Sequence, residues 1–149
     1  MTPLYPPIVL GISCLIGEAA DQGRPGMVGV AEVIRNRMER EYSSDGTVAG
    51  TVLRPKQFSC FDEPWRVRLF QLNWDEPSVV LARQAWDIAF SDDGTGQRSN
   101  LTRGAVLYHT VKDPGRKVAP VWPPVWATKQ GVRRTVTLGD HVFYNDIGR

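Results

Sequence analysis

Glu18 is the first side chain in this sequence whose neighbours would change its chemistry. Ile12, Cys14, Leu15 and Ile16 precede it, so its local surroundings are apolar. Burial penalises the charged form of a carboxyl group. A carboxyl that keeps its proton near neutral pH is what a general acid requires. The plain alternative is a solvent-facing glutamate at a helix end. A second carboxylate, such as a hydrolysing glycosidase sets across the bond it cuts, has three candidates in Asp21, Asp62 and Glu63. Asp21 lies in a glycine-containing break, where capping the next helix explains it equally well.

A thiol nucleophile is the competing chemistry, with Cys14 or Cys60 paired to His109 or His141 as base. A reactive thiol prefers a helix N-terminus. Cys14 falls inside a helix one turn before Glu18, which speaks against it, whereas Cys60 stays open. The same four residues lack any C-x-x-C or H-x-x-x-H pair, so no metal site is expected, and no cofactor. Gln57-Phe58-Ser59 reads either as polar groups beside a cleft or as a turn with a core Phe. Tyr108 and His109 read as site residues or as the two alternating faces of a strand, and Trp126 as a sugar-stacking ring or a buried one.

Two helices must position Glu18. The first is expected from near Ile8 to about Ala20, with Ile8, Ile12, Leu15 and Ile16 inward, after a proline-rich lead-in over residues 1–7. Asp21, Gln22 and Gly23 break the pattern, and Pro25 suits the first turn of a second helix running to about Tyr42. Met27, Val30, Ala31, Ile34 and Met38 recur at the spacing of one buried face. Arg37 and Arg40 on this helix, and the adjacent Arg133 and Arg134, are expected to be solvated charges, and Asn36 to bond a nearby loop backbone. A short helix is expected over Thr47–Leu53, ended by Pro55. The segment 56–74 is irregular, and a further helix starts at Glu76-Pro77-Ser78 with Leu81, Ala85, Ile88 and Ala89 on one face. Residues 91–99 are surface loop. Ala105–Thr110 reads as a strand and 113–124 as loop. Arg133–Leu138 and His141–Tyr144 flank Gly139-Asp140 as a tight hairpin. The fold class is α+β, a helical part over about 8–90 and a loop and β part over about 91–149, in one domain spanning 1–149.

Composition supports an ordinary globular domain. The 149 residues are enough for a hydrophobic core without staples. A formal charge of +2 with no long basic tract argues against nucleic acid as partner. No apolar run approaches the roughly 20 residues of a membrane span. The apolar start has no preceding Lys or Arg and runs into Gly17-Glu18, unlike a secretory signal.

Taken in order, GEA at 17–19, VAEVIRNRM at 30–38, QFS at 57–59, GAVLYHT at 104–110, PPVW at 123–126 and GDHVFY at 139–144 form a pattern. With it the chain resembles the SleB-type cell-wall hydrolases, named for spore cortex-lytic enzymes and found also in bacteriophages. The likeness runs from about Ile12 to Tyr144. It implies a lysozyme-like helical core, a single catalytic glutamate at Glu18, and peptidoglycan glycan strands as the substrate, cut between N-acetylmuramic acid and N-acetylglucosamine. It also implies lytic transglycosylation, in which the muramic acid's own 6-hydroxyl attacks the anomeric carbon and no second carboxylate is needed. Gln57, Phe58, Ser59, Tyr108, His109 and Trp126 would then contact substrate.

The loop after Glu18 departs from the family, whose members often carry an Arg and an acidic residue where this chain has Ala20, Asp21, Gln22 and Gly23. The further expectations are a monomer made in the cytoplasm without a signal peptide, reaching the wall through a holin-type pore or on a particle. If QFS lies beside Glu18, Cys14 and Cys60 would approach each other, and a bridge requires Cα atoms within about 7 Å. A muramidase-type hydrolase, a cysteine peptidase or amidase, and an inactive virion protein are the alternatives.

Overall fold

The computed structural model describes residues 7–20, 22–54, 72–91, 98–110 and 124–148. Its helices are α1 (Pro7–Ala19), α2 (Gly23–Arg40), α3 (Val48–Val52) and α4 (Pro77–Phe90). Strand β1 (Leu107–Thr110) follows, then a short 3-10 helix (Val125–Thr128), β2 (Val132–Leu138) and β3 (His141–Asp146). The strands form an antiparallel sheet in the order β1-β3-β2. The α+β class and the helix order read from sequence hold, and the hairpin turns at Gly139-Asp140 as expected. The 3-10 helix had no periodic signal in the sequence.

Helix α2 is the axis of the fold, with α1, α3, α4 and β2 packed against it. Residues Gly26 through Arg37 are buried without interruption. An amphipathic stripe accounts for Met27, Val30, Ala31 and Ile34, but a helix covered on several sides also buries its polar side chains. Each of these has a partner, as burial demands. Glu32 accepts from the Leu101 and Thr102 amides at 3.0 and 2.9 Å and from Thr102 Oγ1 at 2.8 Å. Arg35 donates through Nη1 to the carbonyls of Ala89 and Ser99 at 2.7 and 2.8 Å. Asn36 donates through Nδ2 to the Ala105 carbonyl at 2.9 Å, which is the loop-backbone bond expected of it.

Arg37 corrects the sequence reading. It is buried, 4% exposed, and its Nε donates to the Val106 carbonyl at 2.6 Å. Arg40, at the exposed end of α2, is at the surface, as are Arg133 and Arg134 on β2, and it donates to Asn145 Oδ1 and the Asp146 carbonyl, both at 2.7 Å. Together Asn36, Arg37 and Arg40 fasten α2 to the approach to β1 and to the end of β3.

Helix α4 is rotated relative to its expected face. Val79, Ala82, Ala85, Trp86 and Ala89 are buried, while Ile88 is 40% exposed. The alanines allow close approach to α2, and Trp86 packs where only the missing side chain of Gly11 leaves room for its ring. The N-cap position of α2 falls on Gln22, and Asp21, the expected cap, lies outside the described residues. On the sheet, Phe143 is fully buried and fills the space beside Gly29 of α2.

Candidate active site

Glu18 stands in the last turn of α1 and is half-buried. Leu10, Ile12, Cys14, Leu15 and Ala19 anchor the helix in the core, which leaves Glu18 at the edge of the buried surface. The last carbonyls of a helix have no partner within it. Here the Ala19 carbonyl accepts from the Gln22 amide at 3.0 Å. The Glu18 carbonyl accepts from His141 Nε2 at 3.0 Å, which requires the tautomer protonated on Nε2. The side chain of Gln22 then reaches the hairpin turn. Its Oε1 accepts from the Asp140 amide at 2.6 Å and its Nε2 donates to Asp140 Oδ2 at 3.3 Å.

Tyr108 lies on the same side. It opposes Phe143 across the β1–β3 ladder, and its ring centroid is 5.1 Å from that of His141 and 5.7 Å from that of Phe143. The buried Arg37 guanidinium is within electrostatic range of Tyr108 and Glu18. Burial holds its pKa below the ordinary guanidinium value, while Tyr108, Tyr42, Cys14 and Glu18, in that order, act electrostatically to raise it. An arginine remains charged under such a shift. The site therefore has a carboxyl group, a phenol and a buried cation within electrostatic reach of one another. A cation near a carboxylate favours the state formed after the acid gives up its proton. The helix terminus, the negative end of its dipole, acts in the opposite sense.

His109 and Trp126 are elsewhere. Neighbouring residues on a strand point to opposite faces, so His109 leaves the face that Tyr108 shares with His141 and joins Tyr144. The His109 Nε2 and Tyr144 hydroxyl are 2.8 Å apart, and the two rings stack at 5.3 Å. Trp126 meets both edge-on, at 5.6 Å from His109 and 5.2 Å from Tyr144. Burial lowers the His109 pKa and raises that of Tyr144. The sheet thus separates these rings from Glu18. Gln57, Phe58 and Ser59 lie outside the described residues, as do Cys60, Asp62 and Glu63. Cys14 is buried inside α1.

Two residues tied to the surroundings of Glu18 were not singled out as site residues in the sequence, Arg37 through its electrostatic range and Gln22 through the turn after α1. Arg37 did carry a signal, since it follows Val30 by seven and Ile34 by three, on the buried face. Gln22 had none, because its partners lie 118 positions away. Among the described residues no group of His, Cys, Asp and Glu could hold a metal ion, and no helix is long and apolar enough to cross a membrane.

The family model described as "Cell Wall Hydrolase" matches residues 21–144, beginning just after Glu18. No curated protein matches the chain. Two solved structures share the fold. One is the catalytic domain of the germination-specific lytic transglycosylase SleB from Bacillus anthracis, at 22% identity and a TM-score of 0.59 over 96% of this chain and 98% of that one. The other is the catalytic domain of the Bacillus cereus SleB protein, at 22% identity and a TM-score of 0.58 over 96% and 94% of the respective chains.

Proposed function

The chain belongs to the cell wall hydrolase family, and from that premise we propose that it cleaves peptidoglycan glycan strands as a lytic transglycosylase, with Glu18 as the single acid–base group. The observation that carries this reading is the setting of Glu18. It is half-buried at the end of α1, with its main chain tied to His141 and the buried Arg37 in electrostatic reach. The likeness in fold to a SleB catalytic domain, described as that of a lytic transglycosylase, supports it.

In this reading Glu18, protonated, donates to the oxygen that joins N-acetylmuramic acid to N-acetylglucosamine as that bond breaks. The glucosamine leaves with the proton. The Glu18 carboxylate then takes the proton of the muramic acid's 6-hydroxyl as its oxygen bonds the anomeric carbon. The product is a 1,6-anhydro ring, and Glu18 is returned to its acid form without water entering. Arg37 steadies the carboxylate between the two steps. Tyr108 stands on the substrate side of the same cluster, and Gln57, Phe58 and Ser59 seat the sugar, their hydrogen bonds directed at the cationic transition state. His109 and Trp126, on the other face of the sheet, brace β1 and β3 instead. The protein acts as a monomer on the cell wall, reached through a holin-type pore or on a particle.

Glu18→Gln tests the assignment, because it keeps the shape and hydrogen bonding of the side chain and removes the transferable proton. A positioned general acid is worth about 10²–10⁴-fold in rate. Clearing of purified sacculi by Glu18→Gln should fall by at least that lower bound with the thermal midpoint unchanged. Clearing at the wild-type rate would remove Glu18 from the mechanism.

A further inference from the structure

We propose that the tip of the β2–β3 hairpin is the positioning device for Glu18, with Gln22 and His141 as positioning residues. The proposal rests on Glu18 being the catalytic acid. A proton donor has to be held within about 0.5 Å of its productive place, and the last turn of a helix, with its carbonyls unpaired and prone to fray, does not supply that rigidity. In this fold the rigidity comes from the far end of the chain.

Three contacts make the connection. His141 Nε2 bonds the Glu18 carbonyl at 3.0 Å. Gln22, whose own amide closes the turn onto Ala19, grips Asp140 through both side-chain atoms, at 2.6 and 3.3 Å. Gly139, at φ 58°, completes the grip, since a Cβ there would stand 2.5 Å from Gln22 Oε1. The turn is thus closed down onto the amide of the glutamine. His141 pairs with Leu138 to close the hairpin, and its ring lies beside Tyr108. One residue therefore sets the main chain of the acid and one wall of the cluster that faces it.

The clamp is placed for precision more than for folding. The sheet is already fastened to α2 and the turn after it by Phe143 against Gly29, by Asn36 and Arg37 on the carbonyls before β1, and by Arg40 and Tyr42 on the end of β3. Loss of the Gln22 grip leaves all of these in place and loosens the turn that bears on Glu18. Misplacement by about 1 Å can cost on the order of 100-fold in rate, whereas contacts with substrate away from Glu18 are untouched.

The experiment measures kcat and apparent KM on solubilised glycan strands, with thermal midpoints, for Gln22→Met, Gln22→Glu, the double variant Gln22→Glu/Asp140→Asn, and Glu18→Gln. Methionine keeps the length and loses both bonds. Gln22→Met should lower kcat by about 10- to 100-fold with KM within about twofold and the midpoint within a few degrees. Gln22→Glu alone sets two carboxylates against each other and should do the same. The double variant restores a complementary pair, the new amide donating to the new carboxylate, and should recover kcat to within about threefold of wild type.

Wild-type kcat in Gln22→Met beside an inactive Glu18→Gln overturns the clamp and leaves the reading of Glu18 standing. An active Glu18→Gln overturns that reading instead. If Gln22→Met does not fold, Gln22→Glu and the double variant decide by the same readout. Should these also fail to fold, or should kcat merely follow the midpoint across the set, the contact is structural and the proposal is wrong.

Discussion

Replacing Glu32 with Gln should destabilise the protein far more than an exchange of near-identical shape suggests. The carboxylate is fully buried on α2 and accepts three bonds, with Oε2 serving the Leu101 amide and Oε1 serving the Thr102 amide and hydroxyl. An amide can reproduce the Oε1 pair, but its NH2 group then faces the Leu101 N–H, donor against donor. A bond to a charged acceptor contributes about 1.5–3 kcal/mol, and a buried donor left unsatisfied costs about 1–3 kcal/mol. Arg35, which senses the Glu32 charge and is itself buried, loses part of its compensation. The total is about 3 kcal/mol for Glu32→Gln and, with the cavity added, about 3–5 kcal/mol for Glu32→Ala. For a domain of this size about 3 kcal/mol corresponds to a fall of roughly 6–12 °C in the thermal midpoint. Urea denaturation monitored by circular dichroism gives the free energy, and hydrogen exchange at the Leu101 and Thr102 amides shows whether the loss is local to that turn. A Glu32→Gln protein within about 1 kcal/mol of wild type, below the cost of one unsatisfied donor, would show that the Leu101 amide does not depend on the carboxylate. It would mean that these groups find other partners at no cost.

Gly29→Ala should cost about 1–3 kcal/mol by overpacking, because the added Cβ would lie 2.6 Å from Phe143 Cζ and 3.2 Å from Leu138 Cδ1; unchanged stability in urea would show that the sheet is not seated on α2. Burial sets the folded pKa of His109 below its unfolded value, so the unfolded chain binds more protons between the two. Its contribution to stability is complete above about pH 6.5, the unfolded value, and is lost as pH falls through the folded pKa. The His109 ring should titrate below that value by NMR, and His109→Gln should flatten the pH dependence of stability there. A midpoint at or above the unfolded value contradicts the packing with Tyr144 and Trp126.

Much of the fold was legible because its elements have strong local periods. Ile12 and Leu15 on α1, the Met27-to-Ile34 stripe on α2, and Gly139-Asp140 between two alternating runs each specify their element within a few residues. What was not legible came from tertiary position. Arg37 and Glu32 look like solvent charges as residue types, and only the coverage of α2 by its neighbours makes them interior groups with backbone partners. Ile88 fails for the converse reason, since α4 turns its alanines and Trp86 to the core where close approach is favoured over larger apolar groups. The half-buried setting of Glu18 at the edge of the core could be read from the apolar residues that precede it; its catalytic role is a proposal. Tyr108 and His109 are adjacent in sequence, but the strand sends them to opposite faces of the sheet, one beside His141 and the other beside Tyr144. Gln22 and His141 acquire their place only through contacts spanning nearly the whole chain.

Mass spectrometry of the soluble fragments that the wild-type protein and Glu18→Gln release from purified peptidoglycan distinguishes one acid at Glu18 with no water in the step from hydrolysis. Muropeptides ending in 1,6-anhydro-muramic acid, lighter by one water than the hydrolytic product, are expected from the wild type and almost none from Glu18→Gln. Reducing muramic ends from the wild type, or anhydro ends released at the wild-type rate by Glu18→Gln, would contradict this mechanism.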